Sequence, residues 1–185
     1  MKKVLVVVCL AAAGVAFGAE TGPAAPGGPL ALAADPKVQK ELGLSDEQAK
    51  AVNRLVEDVR KDASAAGEAF KTLGKTLRPA QLKRLREITY QVRGGAALGD
   101  AEVQRELKLT GKQKEEIAKV WKEEEAKLND FLSRARFRSP EARDAYVLKH
   151  RREAGERMLK ALTDAQRKQF KALQGKPVDV SKLGV

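Results

Sequence analysis

The sequence predicts an all-α protein of elongated helical hairpins, and three observations predict it. A five-residue phrase that opens on Leu and closes on Gln occurs four times: LSDEQ at 44–48, LRPAQ at 77–81, LTGKQ at 109–113 and LTDAQ at 162–166. Apolar residues follow eight and eleven positions after each opening Leu: Val52 and Leu55, Leu85 and Ile88, Ile117 and Val120, Phe170 and Leu173. Those offsets share one side of a 3.6-residue helix, so each phrase begins a helix with an apolar face. Charged residues make up 33% of the chain and aromatics 4%, a balance that suits extended helices better than a thick globular core.

The phrase has the chemistry of a helix start. Ser45, Thr110 and Thr163 stand where a hydroxyl accepts from an orphan N–H of the first turn. Gln48, Gln113 and Gln166 follow three residues later and can reach back to the cap's own N–H. Leu44, Leu109 and Leu162 precede the caps and can tuck against the next turn. The second copy departs from the pattern. After Leu77, Arg78 replaces the hydroxyl and Pro79 takes the first helical position, where its missing N–H costs little, while Gln81 is retained.

Residues 1–18 read as a signal peptide. Met1-Lys2-Lys3 is a basic start, an apolar run begins at Val4, and Ala16-Phe17-Gly18 offers small residues for cleavage after Gly18. The run is shorter than the roughly 20 residues of a membrane span, so the processed chain is expected to have none. Cys9, the one cysteine, leaves with the signal, and no disulfide framework remains. Loss of Lys2 and Lys3 leaves 34 basic residues against 25 acidic ones, a formal +9. Residues 19–34 hold three prolines and three glycines without periodicity and read as a disordered linker.

The helical domain is expected over 35–177. DPKVQKELGLSDEQ at 35–48 aligns with DAEVQRELKLTGKQ at 100–113, and EAFKTLGKTLRPAQ at 68–81 with EAGERMLKALTDAQ at 153–166. The offsets are 65 and 85, so halves 35–95 and 100–175 look like a degenerate internal duplication, with the second half's surplus between Gln113 and Glu153. In the first half, Val52, Leu55, Val59, Ala63, Ala66, Phe70 and Leu73 alternate at three and four, a hairpin or coiled-coil seam that Gly67 could interrupt. In the second, Ile117, Val120, Trp121, Leu128, Phe131, Leu132 and Ala135 form the seam of a helix running to Phe137, and Ser139-Pro140 starts the next. Residues 178–185 read as a loose tail.

Nothing in the chain has the pattern of an enzyme, a metal centre or a cofactor site. His150, the one histidine, stands in Lys149-His150-Arg151-Arg152 and reads as a solvated helix-surface residue. Glu123-Glu124-Glu125 project from different faces of a helix and make neither a chelate nor a general acid/base pair. The informative stretch is basic: Arg134, Arg136, Arg138, Arg143, Lys149, Arg151, Arg152 and Arg157 against Glu141, Asp144, Glu153 and Glu156, with Phe137 and Tyr146 among them. Two readings compete. One is a solvated helix end; the other is a docking surface for acidic or partly unfolded polypeptide, with Arg134, Arg136, Phe137, Arg138, Arg143, Tyr146, Arg151 and Arg152 as contacts. Nucleic acid suits the charge, but base-stacking aromatics are few and an exported protein rarely meets it.

The four Leu-to-Gln phrases in a small exported helical chain resemble the LTxxQ family, which includes the Spy/CpxP-type periplasmic proteins. The resemblance implies an ATP-independent chaperone or stress-sensor accessory, built of hairpins that often dimerise into a cradle. Metal-responsive relatives use histidines that this chain lacks. The expected function is therefore an exported, non-catalytic binding protein, a Spy-like chaperone for unfolded envelope proteins. The alternatives are a regulator docking on an envelope stress sensor and a structural protein bound to anionic cell-wall or membrane polymers.

Overall fold

The structure, a computed structural model, describes residues 28–183; the signal peptide and linker residues 19–27 lie outside them. Among the described residues the chain folds as α1 (Pro29–Ala34), α2 (Pro36–Leu42), α3 (Asp46–Lys61), α4 (Ala66–Thr76), α5 (Pro79–Arg93), α6 (Ala101–Glu106), α7 (Gly111–Arg134), α8 (Pro140–Leu159) and α9 (Asp164–Leu173), with short 3₁₀ segments at Ala63–Ala65, Gly94–Gly99 and Val180–Lys182. No strand occurs among them. The fold is all-α.

The phrases start helices for the reason their chemistry suggests. Ser45, Thr110 and Thr163 each cap their helix through the N–H of Gln48, Gln113 and Gln166, and each Gln side chain accepts from its cap's N–H. At the second copy Gln81 Oε1 accepts from Arg78 N at 2.8 Å, and Pro79 opens α5. The residues eight positions after each Leu are all buried: Val52, Leu85, Ile117 and Phe170.

Two apolar cores result. The first joins α1 to α5 through Leu30, Leu32, Val38, Val52, Leu73, Leu85 and Ile88. The second joins the end of α5 to the later helices through Tyr90, Leu98, Val103, Leu107, Ile117, Met158, Leu162 and Phe170. Where the second begins, the 3₁₀ segment crosses α8 with backbone against backbone. A Cβ on Gly155 would stand 3.0 Å from the nitrogens of Gly95 and Ala96, and one on Gly95 would overlap the Gly155 carbonyl. Glycine at both positions permits the approach.

Several expectations are corrected. The linker does not extend to Ala34. Gly28 precedes α1, Pro29 sits in its first turn, and Leu30, Leu32 and Ala33 are fully buried against the first core. The PLALAA stretch lacked enough length for periodicity to show, yet it supplies three core side chains. Residues 178–183 are not a loose tail either, because Val178, Val180 and Leu183 pack on the first core. The first seam is broken at Asp62, which leaves the helix at φ −141° and caps the Ala63–Ala65 turn through Ser64 N. α3 and α4 therefore form a hairpin, with Ala63 exposed and Phe70 40% exposed. The long helix of the second half ends at Arg134, spanning roughly 36 Å for its 24 residues. Ser139 then caps α8 through Ala142 N, and Pro140 stands in its first turn.

Candidate functional site

Of the sequence-predicted residues, Arg134, Arg136, Phe137, Arg138, Arg143 and Tyr146 lie at or near the turn between α7 and α8. Phe137 lies in the connection, half-buried, with its ring centroid 5.9 Å from Tyr146 of α8 and 6.3 Å from Phe131 of α7. Phe131 and Tyr146 stack at 4.4 Å and 19°. Three rings thus form one cluster, although Phe131 remains 43% exposed. Aromatic pairs at such separations attract beyond their buried area, which holds the turn together without a covalent tie.

Arginines surround this cluster unequally. Arg134 is bonded to Asp130 one turn earlier on the exposed face; that bond holds Asp130 below the usual carboxylate range and raises Arg134. Arg136 and Arg138, on either side of Phe137, are exposed and make no hydrogen bond or ion pair among the described residues. Arg143 and Arg152 are exposed on α8, and Arg151 is half-buried. Arg143 and Arg151 both have interaction partners. The structure therefore brings Arg136, Phe137, Arg138 and Tyr146 into one surface, adds Phe131, and places Arg151 and Arg152 further along α8.

Behind the cluster lies a polar contact that the sequence reading missed. Glu124 is 8% exposed and faces α8. Its carboxylate takes Arg157 at one oxygen, together with Lys127 Nζ at 2.9 Å. His150 Nε2 stands 3.5 Å from its other oxygen and 3.3 Å from its backbone carbonyl. Arg157 also reaches Glu123 at 3.3 Å. His150 is thus not a solvated surface residue: its side chain is only 17% exposed, and its ring stacks on Tyr146 at 6.2 Å. Both neighbours of Nε2 are acceptors, so this nitrogen carries the proton. Spacing could have found Glu124, because Ile117, Trp121, Glu124, Leu128 and Phe131 recur at three and four and put it on the inner face.

The phrase glutamines do more than cap. Gln48 and Gln81 exchange amide bonds at 2.9 and 3.2 Å, and Gln113 and Gln166 do so at 2.7 and 3.2 Å. The carbonyls they also serve lie at positions of equal offset: Thr76 and Ala161 for Gln48 and Gln113, Leu42 and Leu107 for Gln81 and Gln166. Each pair ties the starts of two helices together, a structural task that leaves these side chains no spare donors for a ligand.

No family model, curated protein or solved structure matches the chain. Its own geometry is what carries a functional reading. Among the described residues no group of three or more His, Cys, Asp and Glu side chains is placed to hold a metal ion. No described helix is long and apolar enough to cross a membrane.

Proposed function

We propose that this chain is an exported, non-catalytic binding protein that holds unfolded envelope polypeptides in the manner of the Spy-like proteins its motif resembles, and that clients dock on the α7–α8 turn. The observation that carries the reading is a pair of exposed guanidinium groups, Arg136 and Arg138, without an ion pair among the described residues, bracketing a ring cluster whose Phe131 is 43% exposed. Unpaired charge speeds encounter with acidic segments, and exposed rings then hold apolar ones. A turn built from two helices locked by Glu124 presents both without rearranging, which lowers the ordering cost of binding.

Suppression of aggregation of an unrelated, acid-rich unfolding client tests this. Arg136→Ser/Phe137→Ser/Arg138→Ser should lose most of the protection while keeping helicity, and added salt should weaken the parent. If the triple variant folds and protects as well as the parent, the turn is a solvated helix end. Retained binding to anionic vesicles or cell-wall polymer, with no client protection by the parent, would favour the structural alternative. Binding only to an envelope sensor domain would favour the regulator.

A further inference from the structure

The C-terminal segment behaves as a bound peptide. After α9, Gly175 turns the chain at φ +61°, and residues 176–179 cross α5 towards α2 without helix, followed by the Val180–Lys182 turn. Gln91 and Arg84 of α5 hold this strap through its main chain. Gln91 Nε2 donates to the carbonyls of Gln174 (2.5 Å) and Lys176 (2.8 Å), and Gln91 Oε1 accepts from Val178 N at 2.7 Å. Bonding to the carbonyl of one residue and the N–H of the residue two further on is the pairing a neighbouring strand would supply. Arg84 adds a bond to Lys176 O at 2.8 Å, and it is already fixed by Glu41 and Glu87 at 2.8 and 2.9 Å.

Beneath the strap lies a groove that it does not fill. Val38 of α2, Ile88 of α5, Val178 and Leu183 line an open pocket of about 330 Å³, with Val38 and Ile88 fully buried in the present packing. That volume is in the range of small binding pockets, roughly 300–1,000 Å³. Lys37, Glu41, Lys176 and Asp179 mix both signs of charge at its edge, so charge selects weakly there. Val178, Val180 and Leu183 are only partly buried, and lifting the strap leaves the helices' own hydrogen bonds intact.

We propose that the groove between α2 and α5 is a docking site for an extended apolar polypeptide segment, which the chain's own residues 176–183 occupy in cis. Recognition through main-chain groups tolerates many sequences, while alternate apolar side chains supply the contact area. Segments with side chains larger than valine would use the empty volume. This site shares no residue with the α7–α8 turn and stands or falls independently of it. The strap acts as a built-in competitor: an incoming segment must displace it, so occupancy in cis lowers the apparent affinity by the fraction of grooves left open.

The probe is a fluorescently labelled peptide of residues 174–183, added to the full-length chain. Val178→Ser/Val180→Ser should weaken the cis strap and let the peptide bind saturably, roughly tenfold or more tightly than to the unaltered chain. Gln91→Ala added to that variant should abolish the gain, whereas Arg136→Ser/Arg138→Ser should leave it unchanged. A strap variant that melts like the parent but takes up no peptide overturns the proposal, as does equal uptake by variant and parent. In the unaltered chain, saturating peptide should accelerate hydrogen exchange at the Val178 amide, which loses its Gln91 partner on displacement. Unchanged exchange there overturns it without recourse to any variant.

Discussion

The α3–α4 and α7–α8 hairpins begin on the same phrase and diverge at their turns. α3 opens on Ser45 and α7 on Thr110, each with a complete capping box, and each buries the residue eight positions after its Leu. Beyond that the first hairpin breaks after 16 residues at Asp62, whereas the second continues for 24 and ends in arginines and rings. The first hairpin packs by apolar contact, with Val59, Ala69 and Leu73 buried. The second inserts a buried carboxylate among cations. Equal starts and unequal ends separate what builds the fold from the surface on which the proposed docking rests.

Glycine substitutions should break the comparison most sharply. Gly95 and Gly155 meet backbone to backbone at the root of the second hairpin, and Gly95→Ala or Gly155→Ala should cost about 1–3 kcal/mol or more through overpacking. Gly67 and Gly74 of α4 have open space where a Cβ would go. Gly67→Ala and Gly74→Ala should each stabilise the protein, by about 0.4–1 kcal/mol. Chemical denaturation of the four variants checks both signs.

The amide pairs come next. Gln81 is 6% exposed and serves Arg78 N, Gln48 and the carbonyls of Leu42 and Gly43. Gln166 is half-buried in the corresponding pair. Gln81→Ala should therefore cost about 1–3 kcal/mol, since buried partners are left unpaired, and Gln166→Ala less. Equal losses in thermal melts would mean that burial does not set the difference.

Glu124→Gln should destabilise the second hairpin by about 1–2 kcal/mol, at the lower end for a buried charge because Arg157 is 40% exposed and water can serve it. Loosening should appear first as reduced stacking among Phe131, Phe137 and Tyr146, visible in near-ultraviolet circular dichroism. Cap removal is the mildest change: Thr110→Ala and Thr163→Ala should each cost about 0.5–2 kcal/mol. Because both helices carry the same box, the two losses should agree.

The caps were legible in the sequence because capping is local: a hydroxyl and an amide three residues apart need no knowledge of the rest of the chain. The buried offsets were legible for the same reason. What the sequence hid depends on distant partners. Gln48 and Gln81 are 33 residues apart and Gln113 and Gln166 are 53 apart, so their pairing could not be read from either phrase alone. PLALAA is too short to show a period, and Val178, Val180 and Leu183 follow a proline in a polar setting, so neither stretch reveals from sequence that it packs on the first core. Glu124 faces His150 from another helix, so the burial of His150 cannot be read from its cationic neighbours in sequence. Asp35 and Asp100 occupy matching positions with different work: Asp35 caps α2 through Lys37 N and Val38 N, and Asp100 binds Arg93 at 2.7 Å. Burial pushes the Asp100 carboxyl upward, opposed by that arginine.

The most direct measurement of the central claim is the association rate of an acid-rich unfolded client with two double variants that remove equal charge. Arg136→Ser/Arg138→Ser strips the α7–α8 turn, and Arg60→Ser/Lys61→Ser strips the end of α3. If the α7–α8 turn is the docking surface, only the first variant slows association, by roughly tenfold at low salt, and the difference fades as salt is added. Equal slowing by both would show that net charge, and not the α7–α8 turn, draws the client.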